Sequence, residues 1–165
     1  MPQEWRADIM KLYHGTNVAF ESIDIERSLP YKDFGRGFYL TDNLQHAHNM
    51  AERRVARFGG EQTILTYEFD LVLAEKELSI KRFPSADEDW AQFVMKNRDR
   101  HSVQPCHDYD IVIGPIADDD IAVSFRLFDA GFISIAELIE RLKYKELSIQ
   151  YFFHNNKALS YLNLL

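Results

Sequence analysis

Alternating apolar and polar residues mark the strands of this chain. The clearest case spans residues 63–72, where Leu65, Tyr67 and Phe69 alternate with polar side chains, as they do in a half-buried strand. Shorter apolar or aromatic runs predict four more strands, over residues 11–16, 38–40, 109–116 and 147–154. Residues 75–83 fit either a strand or an extended loop.

Helical spacing and cap residues predict the helices. After Asp42, which we expect to be a cap, apolar residues recur every three or four positions until Gly59 and Gly60 end the run. The stripe consists of Leu44, Ala47, Ala51, Val55 and Phe58. Further helices are expected after Ser85, residues 118–120, Ser134 and Asn155, the last helix carrying Ala158, Leu159 and Leu162.

These elements mix without the regular strand–helix–strand alternation of a parallel sheet. We therefore predict an α+β fold with a mostly antiparallel core. The length of 165 residues fits one domain. Residues 1–10 read as a polar N-terminal lead-in to it.

Composition narrows the classes of function. Hydrophobic residues make up 46% of the chain and aromatic residues 13%, enough for a packed core. The net charge of −7 argues against a broadly basic nucleic-acid binder. The single cysteine, Cys106, allows no internal disulfide and suits a reducing cytoplasm. No apolar run reaches the length of a membrane span, and no signal-peptide pattern opens the sequence.

Two short motifs carry the candidate chemistry. The first is Tyr13-His14-Gly15-Thr16, an apolar-aromatic strand that ends at a glycine. The second is Gly37-Phe38-Tyr39-Leu40-Thr41, in which a similar apolar-aromatic strand follows a glycine. A glycine at such a position permits a tight turn or the close approach of a ligand. Taken singly, each motif also fits a strand end or hairpin corner with no function.

Together, in this order and with an aromatic-rich strand containing Gln150 near the C-terminus, the motifs resemble the ADP-ribosyltransferase superfamily. More narrowly, the chain resembles a small bacterial family of unknown function within that superfamily. The resemblance implies two small, mostly antiparallel sheets with flanking helices around a cleft for NAD. It also implies a catalytic set of His14, Tyr39 and Gln150.

Each of these positions has an expected role if NAD is the substrate. Tyr39 would stack on the nicotinamide ring, and the main chain of Gly15 would pair with the nicotinamide amide. His14 and Thr16 would bind ribose hydroxyls, and Gly37 would allow close approach. Ile149, Tyr151 and Phe153 share one face of their strand, and Gln150 lies on the other. If the first three pack inward, Gln150 faces the cleft.

Gln150 leaves the reaction open, because the superfamily usually has glutamate at this position. A carboxylate would stabilise the positive charge that develops on the ribose, and a carboxamide cannot accept a proton from an acceptor group. Transfer of ADP-ribose, hydrolysis of NAD, and binding without turnover all remain compatible with the sequence. If transfer occurs, we expect a protein acceptor rather than nucleic acid. A toxin-type module with an antitoxin-like partner is a further possibility.

Other polar residues receive weaker interpretations. Arg36 would suit a pyrophosphate, but a loop charge is the favoured interpretation. His101, Cys106 and His107 fit no standard zinc spacing, so no metal is expected. Asp33 lies two positions before Gly35, and the sequence alone assigns it no role.

Overall fold

The computed structural model describes residues 9–143 and 145–165. Within them it contains seven strands and six α-helices. The strands are β1 Ile9–Thr16, β2 Phe38–Thr41, β3 Thr63–Asp70, β4 Ile80–Arg82, β5 Ile111–Pro115, β6 Ile149–Phe153 and β7 Leu162–Leu164. The helices are α1 Leu44–Phe58, α2 Leu71–Glu77, α3 Glu88–Arg98, α4 Asp119–Asp129, α5 Ile135–Leu142 and α6 Asn156–Leu159.

All seven strands form one sheet in the order β4-β5-β6-β2-β1-β3-β7. Only β4 and β5 pair in parallel, which confirms the α+β class and the mostly antiparallel core. The expectation of two separate sheets is wrong for this structure. The two halves of the sheet are nevertheless joined by a single residue pair, Tyr13 of β1 with Thr41 of β2.

Both faces of the sheet are covered. The core on the first face includes Ala74 of α2 and Ala158 of α6. The sheet contributes side chains that alternate along its strands, namely Leu12, Phe38, Leu40, Tyr151 and Phe153. On the second face, side chains of α3, α4 and α5 pack around the fully buried Phe34 and Phe152. Strand β6 therefore has core on both sides.

Helix α1 packs against β1 and β3. Its buried positions are Ala47 and Ala51, the small residues of its apolar stripe. The cap is Asn43, whose side chain accepts from the main-chain N–H of His46, so the cap lies one residue after the expected Asp42 and the helix begins at Leu44. Gly59 ends the helix at φ 75°, where glycine has no steric penalty.

Three boundaries differ from expectation. The expected strand over residues 63–72 stops at Asp70, which caps α2. In residues 75–83, which fitted either a strand or a loop, the strand β4 covers only residues 80–82. The last helix ends at Leu159, because Leu162 turns back and pairs with Phe69 at the edge of β3. The lead-in of residues 1–10 lies outside the described residues as far as residue 8, and residues 9 and 10 belong to β1.

Candidate functional site

The candidate site lies where β1 and β2 separate. Over the described lengths of these strands Tyr13 and Thr41 are their one shared pair. A continued antiparallel register would place Gly15 opposite Tyr39. Instead residues 14–16 of β1 and 38–40 of β2 diverge. We call the gap between these two segments the β1–β2 opening.

His14 stands at the start of the opening and is locked in place. Its Nδ1 atom lies 2.7 Å from the main-chain oxygen of Tyr39. A carbonyl oxygen can only accept, so Nδ1 carries the proton and Nε2 carries the lone pair. The ring also lies 4.4 Å from Phe38 and 5.8 Å from Phe20, measured between centroids. The imidazole thus replaces the missing ladder bond of β2.

The electrostatics keep the imidazole neutral. The pKa of His14 is lowered to about 4, and burial is the main cause. The hydrogen bond to the Tyr39 carbonyl acts in the opposite direction and raises this pKa. The positive charges of Arg54 and Lys32 lower the pKa of His14 further. At neutral pH the histidine therefore presents an uncharged Nε2 acceptor.

Tyr39 lies on the opposite side of the sheet from the His14 ring. Its hydroxyl donates to the oxygen of Gly35 at 2.7 Å and accepts from the N–H of Phe34 at 3.0 Å. Burial raises the pKa of the Tyr39 phenol well above its ordinary value, and the charge of Asp33 adds to the effect. The phenol therefore stays protonated and holds the loop that precedes β2.

Gln150 is buried beside Tyr39 rather than open to a cleft. The predicted alternation of β6 is confirmed, since Tyr151 and Phe153 belong to the first core and Phe152 to the second. The side with Gln150, however, is covered, and only 6% of this residue is exposed. Its Nε2 atom donates to Oδ2 of Asp33 at 2.9 Å and to the oxygen of Pro115 at 3.3 Å.

The bond to Asp33 explains why a neutral amide occupies position 150. A glutamate there would place a second carboxylate within hydrogen-bond distance of Asp33, and two carboxylates repel each other. Gln150 instead supplies the donor that Asp33 needs. Gln150 and Tyr39 are thus brought together around Asp33, whereas the imidazole of His14 reaches Tyr39 only through its main-chain carbonyl.

Asp33 is the buried residue of this site that the sequence did not single out. It is 7% exposed. Its carboxylate accepts from Nε of Arg98 at 2.8 Å, lies 2.6 Å from Nη2 of Arg98, and accepts from the N–H of Ala117 at 3.1 Å. These partners are 65 to 117 positions away along the chain. No local pattern could have revealed them.

The two glycines of the motifs are required by packing. A Cβ atom on Gly15 would lie 1.9 Å from the main-chain oxygen of Ala47 in α1. A Cβ atom on Gly37 would lie 2.2 Å from the ring of Phe152. The missing side chain of Gly15 therefore admits a helix, whereas the sequence interpretation assigned that space to a ligand.

The remaining candidates are occupied locally. Thr16 is 5% exposed, and its hydroxyl accepts from the N–H of Val18 at 3.5 Å. His107 uses both ring nitrogens on the main chain: Nε2 donates to Phe34 at 2.7 Å and Nδ1 accepts from Tyr109 at 3.1 Å. Within residues 9–143 and 145–165 no group of three or more potential metal ligands converges.

A family model described as a protein of unknown function, DUF3990, matches residues 10–164. The chain belongs to the DUF3990 family. No curated protein and no solved structure matches this DUF3990 chain. The family description names no activity, so the function has to be inferred from the site. Among the described residues, no helix is long and apolar enough to cross a bilayer.

The half-buried imidazole gives this DUF3990 chain a defined pH response. Unfolding returns His14 to its ordinary pKa, so between about pH 6.5 and about pH 4 the unfolded state binds the extra proton. The free energy of unfolding should fall by about 3 kcal/mol over that window because of this group. The contribution is complete above the unfolded pKa and is lost on acidification.

Urea denaturation at several pH values would measure this response. In His14→Asn an amide N–H can still reach the Tyr39 carbonyl, but the titrating ring is gone. The variant should lose less stability on acidification than the wild type. Identical pH profiles for the two proteins would contradict the assignment of a neutral His14 with a lowered pKa.

Proposed function

We propose that this DUF3990 protein binds NAD with the nicotinamide end in the β1–β2 opening, cleaves the nicotinamide–ribose bond and transfers ADP-ribose to an acceptor. The observation that carries the proposal is the separation of β1 and β2 after one pair, with a neutral His14 at that point. The resemblance of the motifs around His14 and Tyr39 to the ADP-ribosyltransferase superfamily supports the same ligand.

The opening offers groups that suit a nicotinamide nucleoside. The main chain of Gly15 has no β2 partner there within the described register, and a carboxamide pairs well with a strand edge. The Nε2 lone pair of His14 can accept from a ribose hydroxyl, because Nδ1 is committed to Tyr39. Tyr39 acts through the loop that it holds, since its hydroxyl bonds to Gly35 and Phe34.

Binding without turnover is the second candidate, and Gln150 favours it. Cleavage of the glycosidic bond develops positive charge on the ribose, which a nearby carboxylate stabilises. The amide of Gln150 is engaged with Asp33 and Pro115. The carboxylate of Asp33 is in turn engaged with Arg98. Because these groups already bind each other, the site is better suited to holding NAD than to cleaving it. Hydrolysis of NAD by water lies between binding without turnover and transfer to an acceptor.

The cellular setting follows from the ligand. NAD is a soluble cytoplasmic substrate, and the single Cys106 suits a reducing compartment, so we place the protein in the cytoplasm. The net charge of −7 favours a protein acceptor over nucleic acid, because a negatively charged protein repels phosphate groups. A toxin-type role with a neutralising partner is compatible with this activity.

Two assays on the same protein separate these candidates. Calorimetry measures NAD binding, and chromatography measures nicotinamide release with and without cell extract as a source of acceptor. His14→Asn should weaken NAD binding by about tenfold, the equivalent of one lost hydrogen bond of about 1.4 kcal/mol. The exposed His48 on α1 provides the control, because His48→Ala should leave binding unchanged.

The outcomes assign the function. Nicotinamide release that requires cell extract and is lost in His14→Asn supports transfer. Nicotinamide release in the absence of extract supports hydrolysis. Tight binding without release supports the binding module. Absence of NAD binding to the wild-type protein would reject all three.

A further inference from the structure

Two positive side chains near His14, Lys32 and Arg54, belong to no ion pair within the part of the chain that the structure describes. Burial is the main cause of the lowered pKa of His14, and the charges of these two side chains lower it further. The charge around the imidazole is therefore positive, in a chain whose net charge is −7.

Both cations extend from rigid main chain. Arg54 belongs to α1, its Nε atom lies 3.4 Å from Oδ1 of Asn17, and its guanidinium lies 5.0 Å from the ring centroid of Phe58. Asn17 directly follows the end of β1. Lys32 begins a turn that is closed by the bond from the N–H of Gly35 to the Lys32 oxygen at 3.1 Å. Lys32 and Arg54 thus come from opposite sides of the β1–β2 opening.

The two cations are also close enough to affect each other. Desolvation lowers the pKa of the Lys32 ammonium, and the charge of Arg54 lowers it further. The carboxylate of Asp33 raises that pKa in part, but this carboxylate is already paired with Arg98. Bringing like charges together costs free energy in the absence of an anion. An arrangement of this kind is typical of a site whose counter-ion is the ligand.

Two other cations of this region, Arg36 and Arg98, already have carboxylate partners. Arg36 lies 3.6 Å from a carboxylate oxygen of Glu26. Arg98 is bound to the buried carboxylate of Asp33. Arg36, which the sequence offered for a pyrophosphate, therefore forms an ion pair, whereas Lys32 and Arg54 form none among the described residues.

We propose that Lys32 and Arg54 form a phosphate-binding site at the mouth of the β1–β2 opening and bind the diphosphate of the dinucleotide. The proposal rests on the proposed function, since it assigns the anionic part of the same ligand. A guanidinium offers parallel donors to two phosphate oxygens, and an ammonium adds a point charge. The net charge of −7 disfavours general binding of anions, so we expect binding to depend on this pair.

Calorimetry with inorganic pyrophosphate tests the site without the nicotinamide end. Lys32→Gln and Arg54→Gln should each weaken pyrophosphate binding by about tenfold, as the loss of one charge-assisted contact predicts. Arg36→Gln, a cation of the same loop that already has a partner, is the matched control and should bind as the wild type does. Raising the salt concentration should weaken binding to the wild type more than to either variant.

A second readout reports on position. An anion at Lys32 and Arg54 offsets the positive charges that act on His14, so saturating pyrophosphate should raise the pKa of that imidazole in an NMR titration. An unchanged pKa would place the anion elsewhere and overturn the assignment. This readout also distinguishes loss of contact from unfolding of a variant, because it uses the wild-type protein.

The same experiments separate this inference from the proposed function. Pyrophosphate binding that depends on Lys32 and Arg54 supports the phosphate site even if NAD does not bind. NAD binding that is unaffected by both substitutions overturns the phosphate site and leaves the proposed function intact. Equal pyrophosphate affinity in all four proteins also overturns it.

Discussion

Gly15→Ala should destabilise the protein by about 3 kcal/mol or more, at the upper end of what overpacking costs. The new Cβ atom would lie 1.9 Å from the oxygen of Ala47 and 2.9 Å from the nitrogen of Ala51. Both atoms belong to the main chain of α1, so no rotation of a side chain can relieve the clash. The helix would have to move away from β1.

Gly59→Ala is the control for this substitution. Gly59 has φ 75° and nothing within 4 Å of the added atom, so alanine there should cost only about 1–2 kcal/mol for its backbone conformation. Urea denaturation followed by circular dichroism compares the two variants. If Gly15→Ala unfolds at the wild-type midpoint and loses only NAD binding, the glycine serves the ligand and the packing account is wrong.

Asp33→Asn should cost about 3 kcal/mol, the lower end of the range for breaking a buried ion pair, because the Arg98 side chain is 32% exposed. One oxygen of Asp33 faces Arg98 and the other faces the N–H groups of Ala117 and Gln150. An asparagine has only one oxygen. In either orientation its NH₂ group points at donors, and the charge that Arg98 needs is lost.

The exposed Asp129 at the end of α4 provides the comparison. Asp129→Asn should change the free energy of unfolding by less than about 0.5 kcal/mol, as surface substitutions usually do. Thermal and urea unfolding of both variants, measured against the wild type, tests the difference. Equal stability of the two variants would show that the Asp33 network contributes little to the fold.

Local sequence signals were enough for the long elements. The helix of α1, the alternation of β3 and the cap of α5 at Ser134 follow from patterns within about four residues. Helix α2 was missed because it has seven residues and one buried position, Ala74, too few to show a period. Strand β7 was missed because its pairing with β3 lies far away in sequence.

The site could be predicted only in part, for a related reason. The motifs located His14 and Tyr39 on two predicted strands, and the structure places them on β1 and β2, which lie side by side in the sheet. Contacts between residues far apart in the chain could not be predicted from the pattern of neighbouring residues. The reason for glycine at position 15 is the approach of α1, and the reason for glutamine at position 150 is the carboxylate of Asp33. Both became visible only once the partners were known.

Nitrogen NMR of His14 during an NAD titration tests the central claim most directly. The free protein should show the neutral tautomer with the proton on Nδ1, as the bond to Tyr39 requires. Saturating NAD should shift the Nε2 resonance and the amide resonances of Gly15 and Tyr39, which border the opening. If NAD binds and these three resonances stay unchanged, or if no NAD binds, the β1–β2 opening is not the nicotinamide site.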